Sequence, residues 1–152
     1  MSQTLVFMMG EFAARFPADR HYAGNHMWAQ QQGESDVWRF GFSAYAVRLL
    51  QDVYFLDWTV DAGTALADRQ GIGAIESKKA ESDLFAPIAG ELVRFHESLL
   101  SDPSQINVEP YGEGWLFEMT GASEALFTPE GYIEHLADVW EVTQRTIKGQ
   151  LN

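Results

Sequence analysis

Residues 75–90 read IESKKAESDLFAPIAG. Two lysines, Lys78 and Lys79, stand between glutamates here, and the segments on either side read as strands. The pattern predicts the tip of a β-hairpin. Gly73 and Gly90 flank the pair almost symmetrically, and the S-D-L-F-A-P segment returns the chain toward an apolar core. An amine on a tight turn is either a solvated charge or a handle for a covalent cofactor. Glu76, Glu81 and Asp83 surround the amines, which favours their charged form and turns them outward. From these residues alone the two lysines are equivalent.

Working outward, residues 71–76 form a strand of small residues that another backbone can approach closely. Residues 84–95 predict strand segments broken at Pro87 and Gly90. Residues 52–60 predict a strand by their β-branched and aromatic content, followed by a turn at Asp61, Ala62 and Gly63. Residues 37–42 alternate, with Trp38, Phe40 and Phe42 on one face. Ser43 is placed as the N-cap of a short helix over residues 44–51, with Ala46, Leu49 and Leu50 facing the core.

Residues 22–30 predict a weaker strand, residues 30–36 a polar turn, and residues 1–20 an irregular arm. Pro103 and Asn107 fall in a loop. Residues 111–114 turn into a strand at 115–119. Near the C-terminus, Thr128 is placed as N-cap and Pro129 as the first helical residue. Ile133, Leu136, Ala137 and Trp140 then share one helical face, with Gly149 as the stop. The chain is therefore mainly β: a flattened β-sandwich or barrel with a short inner helix and a longer C-terminal one. It divides into an N-terminal arm (1–20), a main domain (21–120) and a C-terminal helical segment (121–152) packed on that domain.

Composition limits the function classes. The 152 residues are 46% apolar and carry a formal net charge of −12. Nucleic acids and anionic membranes call for a basic footprint, so neither is an expected partner. Basic surfaces of partner proteins are. There is no cysteine, hence no thiolate site and no cysteine nucleophile. No apolar run has membrane-spanning length and the start lacks a signal's basic region, so a cytoplasmic location is expected.

Other sites fail on spacing. His96-Glu97 is followed at position 100 by leucine, so the zinc-protease motif is incomplete. His21 and His26 do not fall on one face of a helix or strand. Gly71 and Gly73 have no third glycine, and no G-x-S-x-G elbow exists. The five tryptophans are scattered over separate elements, as core residues are.

With these residues in view, the chain resembles the H-protein family of the glycine cleavage system, over about residues 16–137. The family pattern around its modified lysine is E-S-x-K-A-x-S-D. Glu76, Ser77, Lys79, Ala80, Ser82 and Asp83 fit it, with Lys78 at the variable position. Residues 107–116 (NVEPYGEGWL) resemble the N-x-x-P-Y-G-E-G-W-L block. Residues 40–46 (FGFSAYA) resemble I-G-I-T-D-Y-A. Tyr22, His26 and Trp28 resemble Y-x-x-x-H-E-W. A biotin carrier is disfavoured, since that family has methionines flanking its lysine.

The resemblance implies a lipoyl-domain-like barrel-sandwich hybrid and a carrier, not an enzyme. Lipoate would be joined to Lys79 as an amide by a lipoyl ligase or octanoyltransferase. The arm would take an aminomethyl group from glycine decarboxylase, present it to a tetrahydrofolate-dependent aminomethyltransferase, and be reoxidised by dihydrolipoyl dehydrogenase. A monomer is expected.

Two departures stand out. The H-E-W glutamate is replaced by Met27, which would cost a loaded ammonium a charge-assisted contact of roughly 1–3 kcal/mol. A helical histidine of the family falls at Leu49, and the glycine of its L-G-(D/E) segment at Gln51. These departures keep two alternatives open. One is a lipoate-binding carrier for another pathway, as in sulfur-oxidising systems built around heterodisulfide-reductase-like complexes. The other is an unmodified binding module.

Overall fold

A computed structural model of the chain describes residues 3–151. Residues 1–20 are not an irregular arm. β1 (Thr4–Met9) pairs antiparallel with β2 (Phe12–Pro17) in a regular hairpin. Its two-residue turn begins at Gly10, whose φ of +65° suits the first position of a type II′ turn. The expected strand at 22–30 is split. β3 (His21–Tyr22) and β4 (Met27–Gln31) flank a tight turn in which the His26 N–H donates to the Ala23 carbonyl at 3.0 Å.

β5 (Val37–Phe42) buries Trp38, Phe40 and Phe42 as the alternation predicts. α1 (Ala44–Leu50) begins after Ser43, but the serine hydroxyl does not cap it. Ser43 is fully buried against the C-terminal helix, and its Oγ pairs with the Tyr132 hydroxyl at 3.0 Å. The Tyr111 hydroxyl instead accepts the Ala44 N–H at 2.8 Å. Ala46 faces the core and Leu50 packs against it, but Leu49 is 37% exposed on the rim of a cleft.

β6 (Val53–Trp58), β7 (Ala65–Leu66), β8 (Gly71–Ser77), β9 (Glu81–Phe85) and β10 (Gly90–Phe95) follow closely the expected order. A single-turn helix, α2 (Ser98–Ser101), precedes the expected loop, and a second, α3 (Gln105–Val108), falls within it, so Asn107 is helical. Ile106 drives this by burying its side chain completely. β11 (Phe117–Thr120) starts two residues later than expected, because Trp115 is still in the turn, stacked on His96 at 4.2 Å.

α4 (Pro129–Leu151) is capped as expected, the Gly131 N–H donating to Thr128 Oγ1 at 3.1 Å. Among its described residues Pro129, Tyr132 and Leu136 are buried, while Ala137 is exposed. Gly149 does not stop it: one interior glycine costs a helix only about 1 kcal/mol. No helix among the described residues is long and apolar enough to cross a membrane.

The strands form a six-stranded sheet, ordered β3-β4-β5-β11-β10-β7, and a three-stranded sheet, β6-β8-β9. Both feed one largely aliphatic core that includes Phe40, Leu56, Ile72, Ile75, Ile88 and Leu92, so the fold is a mainly-β sandwich. A second cluster joins the β1–β2 hairpin to α4 through Phe16, Tyr22, Trp28, Tyr45 and Tyr132.

Candidate functional site

The lysine stretch is a hairpin tip. β8 and β9 pair antiparallel with Glu76 opposite Glu81, leaving Lys78, Lys79 and Ala80 beyond the last pair. Gly73 makes the tight packing below the tip possible. A Cβ there would run into the Asp57 carbonyl oxygen of β6.

Ser77 organises the turn. It is buried, its N–H donates to the Ala80 carbonyl at 2.8 Å, and its Oγ accepts the Ala80 N–H at 3.2 Å. The Lys78 N–H points away from the turn and donates to the Asp52 carbonyl at 2.8 Å. Both lysine side chains are exposed, and among the described residues neither ammonium is ion-paired. Glu76, Glu81 and Asp83 therefore act on the amines only as a general negative field. Register sets Phe55, Glu76 and Glu81 side by side on one sheet face, with Asp57, Ala74 and Asp83 in the next row. Geometry alone does not separate Lys78 from Lys79.

Beside the hairpin lies a cleft of about 310 Å³. Met27, Phe42, Leu50, Ile75 and Leu84 make its walls apolar, and Ala80, Ser82 and Asp83 bring the hairpin to its edge. Asn25 ties the rim together, its Nδ2 donating to the Phe85 carbonyl at 3.1 Å. Asp83 is the one carboxylate lining the cleft.

His26 lines the same cleft with a backbone φ of +72°. Its Nδ1 meets the Tyr132 hydroxyl at 2.9 Å. Burial, and then His135 beside it, lower its pKa to about 4, so it stands neutral at physiological pH. Burial raises the pKa of Tyr132 far above the usual phenol range, which keeps this hydroxyl a hydrogen-bonding group.

Of the residues expected from sequence, the structure gathers Ser77, Lys79 and Ala80 at the tip, with Glu76, Ser82 and Asp83 on the strands below. Sequence reasoning missed Asn25 and Tyr132. Asn25 carried a signal, since an Asx side chain before a left-handed residue marks a tight turn. Tyr132 carried none, because its partner lies 106 positions away. Among the described residues no group of three or more His, Cys, Asp or Glu could hold a metal. The arrangement is an accessible amine on a rigid turn beside an apolar slot. It can present a tethered group and shelter an aliphatic one.

A family model described as glycine cleavage H-protein matches residues 20–138. The glycine cleavage system H protein of Mycolicibacterium gilvum is 39% identical over 132 residues, covering 82% of this chain and 99% of that protein. Its counterpart in Mycobacteroides abscessus is 42% identical over 109 residues, covering 72% of this chain and 82% of that one. A crystal structure of a glycine cleavage system H protein from Mycobacterium marinum superposes with a TM-score of 0.68 at 30% identity, covering 80% of this chain and 99% of that chain.

Proposed function

This chain belongs to the glycine cleavage H-protein family, and from that membership we propose that it is the lipoyl carrier of the glycine cleavage system, with the arm on Lys79. The observation that carries the assignment is an exposed Lys79, in the motif register, on a hairpin tip that Ser77 holds and an apolar cleft adjoins. The residues present fit the group. The cleft walls are aliphatic and aromatic, suited to a short hydrocarbon chain, and a lysine ammonium that becomes an amide leaves no salt bridge broken.

When attached, the lipoyl group supplies the disulfide that is reduced on accepting the aminomethyl unit of glycine. The chain's own residues do the rest. Lys79 forms the amide. Ser77 keeps the turn rigid. Met27, Phe42 and Leu84 exclude water from the cleft. The partners are the glycine decarboxylase, the aminomethyltransferase, dihydrolipoyl dehydrogenase and the enzyme that attaches the arm. The carboxylates on the hairpin's sheet face meet basic docking surfaces, an attraction that salt weakens.

The test is coexpression with a lipoyl ligase followed by intact-mass measurement. One lipoyl increment on the native chain and none on Lys79→Arg is expected. An unchanged mass for the native chain overturns the assignment. A fully modified sample that supports no glycine–bicarbonate exchange with the decarboxylase moves the carrier to another pathway.

A further inference from the structure

We infer that Asn107 is the positioning residue of the lysine turn, acting through the α1–β6 junction; the inference rests on the reading of Lys79 as the modified lysine. Asn107 Nδ2 donates to the Gln51 carbonyl at 2.6 Å. The Val53 N–H donates to Asn107 Oδ1 at 2.9 Å. Between those two residues lies Asp52, whose carbonyl accepts the Lys78 N–H at 2.8 Å. One carboxamide thus grips the backbone on both sides of the peptide that anchors the turn.

The grip needs this side chain. A carboxamide offers a donor and an acceptor in one plane without charge. The grip is itself anchored, because the preceding residue, Ile106, is fully buried. It also has something to restrain. Gln51 has φ +59° and ψ −147°, a conformation that disfavours every side chain but glycine's. Without the amide, the junction is free to relax and the Asp52 carbonyl to swing with it.

The turn is therefore fixed at two points. Ser77 holds Lys79 and Ala80 from within. Asp52 holds Lys78 from outside. Val53 opposite Ser77 is the last β6–β8 pair, so among the described residues the Lys78 amide is the tip's one backbone hydrogen bond beyond the hairpin itself. Asn107 opens the NVEPYGEGWL block, 28 positions after Lys79. The rest of that block has other work: Tyr111 caps α1 and Trp115 stacks on His96. An enzyme that modifies Lys79 must engage the turn at a set height and orientation. A turn that samples other positions is bound more weakly in proportion to the time it spends there. Chemistry at Nζ, once engaged, is unaffected.

The test follows amide hydrogen exchange at Lys78 and the kinetics of lipoyl ligase on the full chain. Asn107→Leu removes both bonds, and Lys78 exchange is expected to rise about tenfold or more. The ligase KM for the carrier is expected to rise by a similar factor, with kcat within about twofold. Asn107→Asp keeps the acceptor for the Val53 N–H and loses the donor to the Gln51 carbonyl, gives intermediate values and serves if the leucine variant does not fold. Leu136→Ala, in the aromatic cluster away from the clamp, is the control: it lowers the melting temperature but leaves Lys78 exchange and KM at native values. Native exchange and native KM in the folded asparagine variants overturn the inference, as does a Leu136→Ala effect of equal size on both. If the native chain is never modified while Asn107→Leu still frees Lys78, the lysine assignment fails and the clamp stands.

Discussion

The molecule has two cores, and single elements feed both. On β4, Met27 and Ala29 enter the aliphatic core while Trp28, between them, enters the aromatic one. On α1, Ala46 goes one way and Tyr45 the other. The aliphatic core works through dispersion and close backbone approach. The aromatic core works through ring geometry and hydroxyl tips: Tyr22 stacks on Tyr132 at 4.7 Å, and the Tyr22 hydroxyl donates to the Pro17 carbonyl at 2.7 Å. The lysine turn belongs to the first core. The second joins β1–β2 to α4, and residues 1–19 and 139–152 lie outside the family match. The cleft lies on the seam, with Met27 from one side and His26 from the other. A carrier platform and an aromatic buttress therefore meet where the arm would rest.

The strongest way to break this picture is at Gly90. A Cβ there would collide with the Thr120 carbonyl of the neighbouring strand. Gly90→Ala is expected to lose about 4 kcal/mol, the range of a backbone clash with no room to relax. Urea unfolding should show both cores melting together at the lower midpoint. A native midpoint would mean that the sandwich does not depend on that close approach.

The opposite cut is in the buttress. Leu136 is fully buried between α4 and the aromatic rings. Leu136→Ala is expected to cost about 3 kcal/mol. Amide exchange should quicken in β1 and β2 and stay native in β8 and β9. Equal quickening in both regions would collapse the two cores into one cooperative unit.

How readily each region could be read in the sequence follows the same division. β5 presents Trp38, Phe40 and Phe42 to the core from alternate positions, so the sequence pattern matches the burial there, and the small residues of β8 mark the strand that leads to the hairpin tip. β1 did not reveal itself, because Val6 and Met8 are exposed as well as apolar and hide the alternation. The signal was Gly10, a turn residue between two short apolar runs. Tyr132 leaves no local mark, because its partners His26 and Ser43 lie far away in the chain. Leu49 was placed inside because a seven-residue helix beside a cleft has less buried face than its pattern offers. Gln51 was noticed as a missing glycine, but its strain is visible only in the backbone.

His26 sharpens the comparison through pH. Neutral burial against Tyr45, Tyr132 and His135 holds its pKa near 4, against 6.5 for an ordinary histidine. Between those values the unfolded chain carries a proton that the folded chain lacks. The stability is therefore complete above about pH 6.5, declines as pH falls, and levels off below about pH 4, a total change on the order of 3 kcal/mol. His26→Asn accepts the left-handed backbone and abolishes the titration. The gap between native and variant stabilities should shift by about 2.5 kcal/mol, most of that total, between pH 7.5 and 4.5. A constant gap would mean that the seam is not dry.

The smallest effect lies at the junction of the two cores, where α1 leaves the seam for β6. At φ +59° and ψ −147°, Gln51 carries strain of about 1–3 kcal/mol. Gln51→Gly relieves it but adds freedom to the unfolded chain worth up to about 1 kcal/mol. The net expectation is a gain of about 1 kcal/mol, read from the urea midpoint. Gln51→Ala is the informative partner, since alanine shares the steric penalty and should fall within about 0.5 kcal/mol of the native chain. If alanine gains as much as glycine, backbone strain is not the cause, and the glutamine side chain itself burdens the junction. If neither gains, the amide of Asn107 already absorbs the strain, and the junction is rigid because it is held from both cores at once.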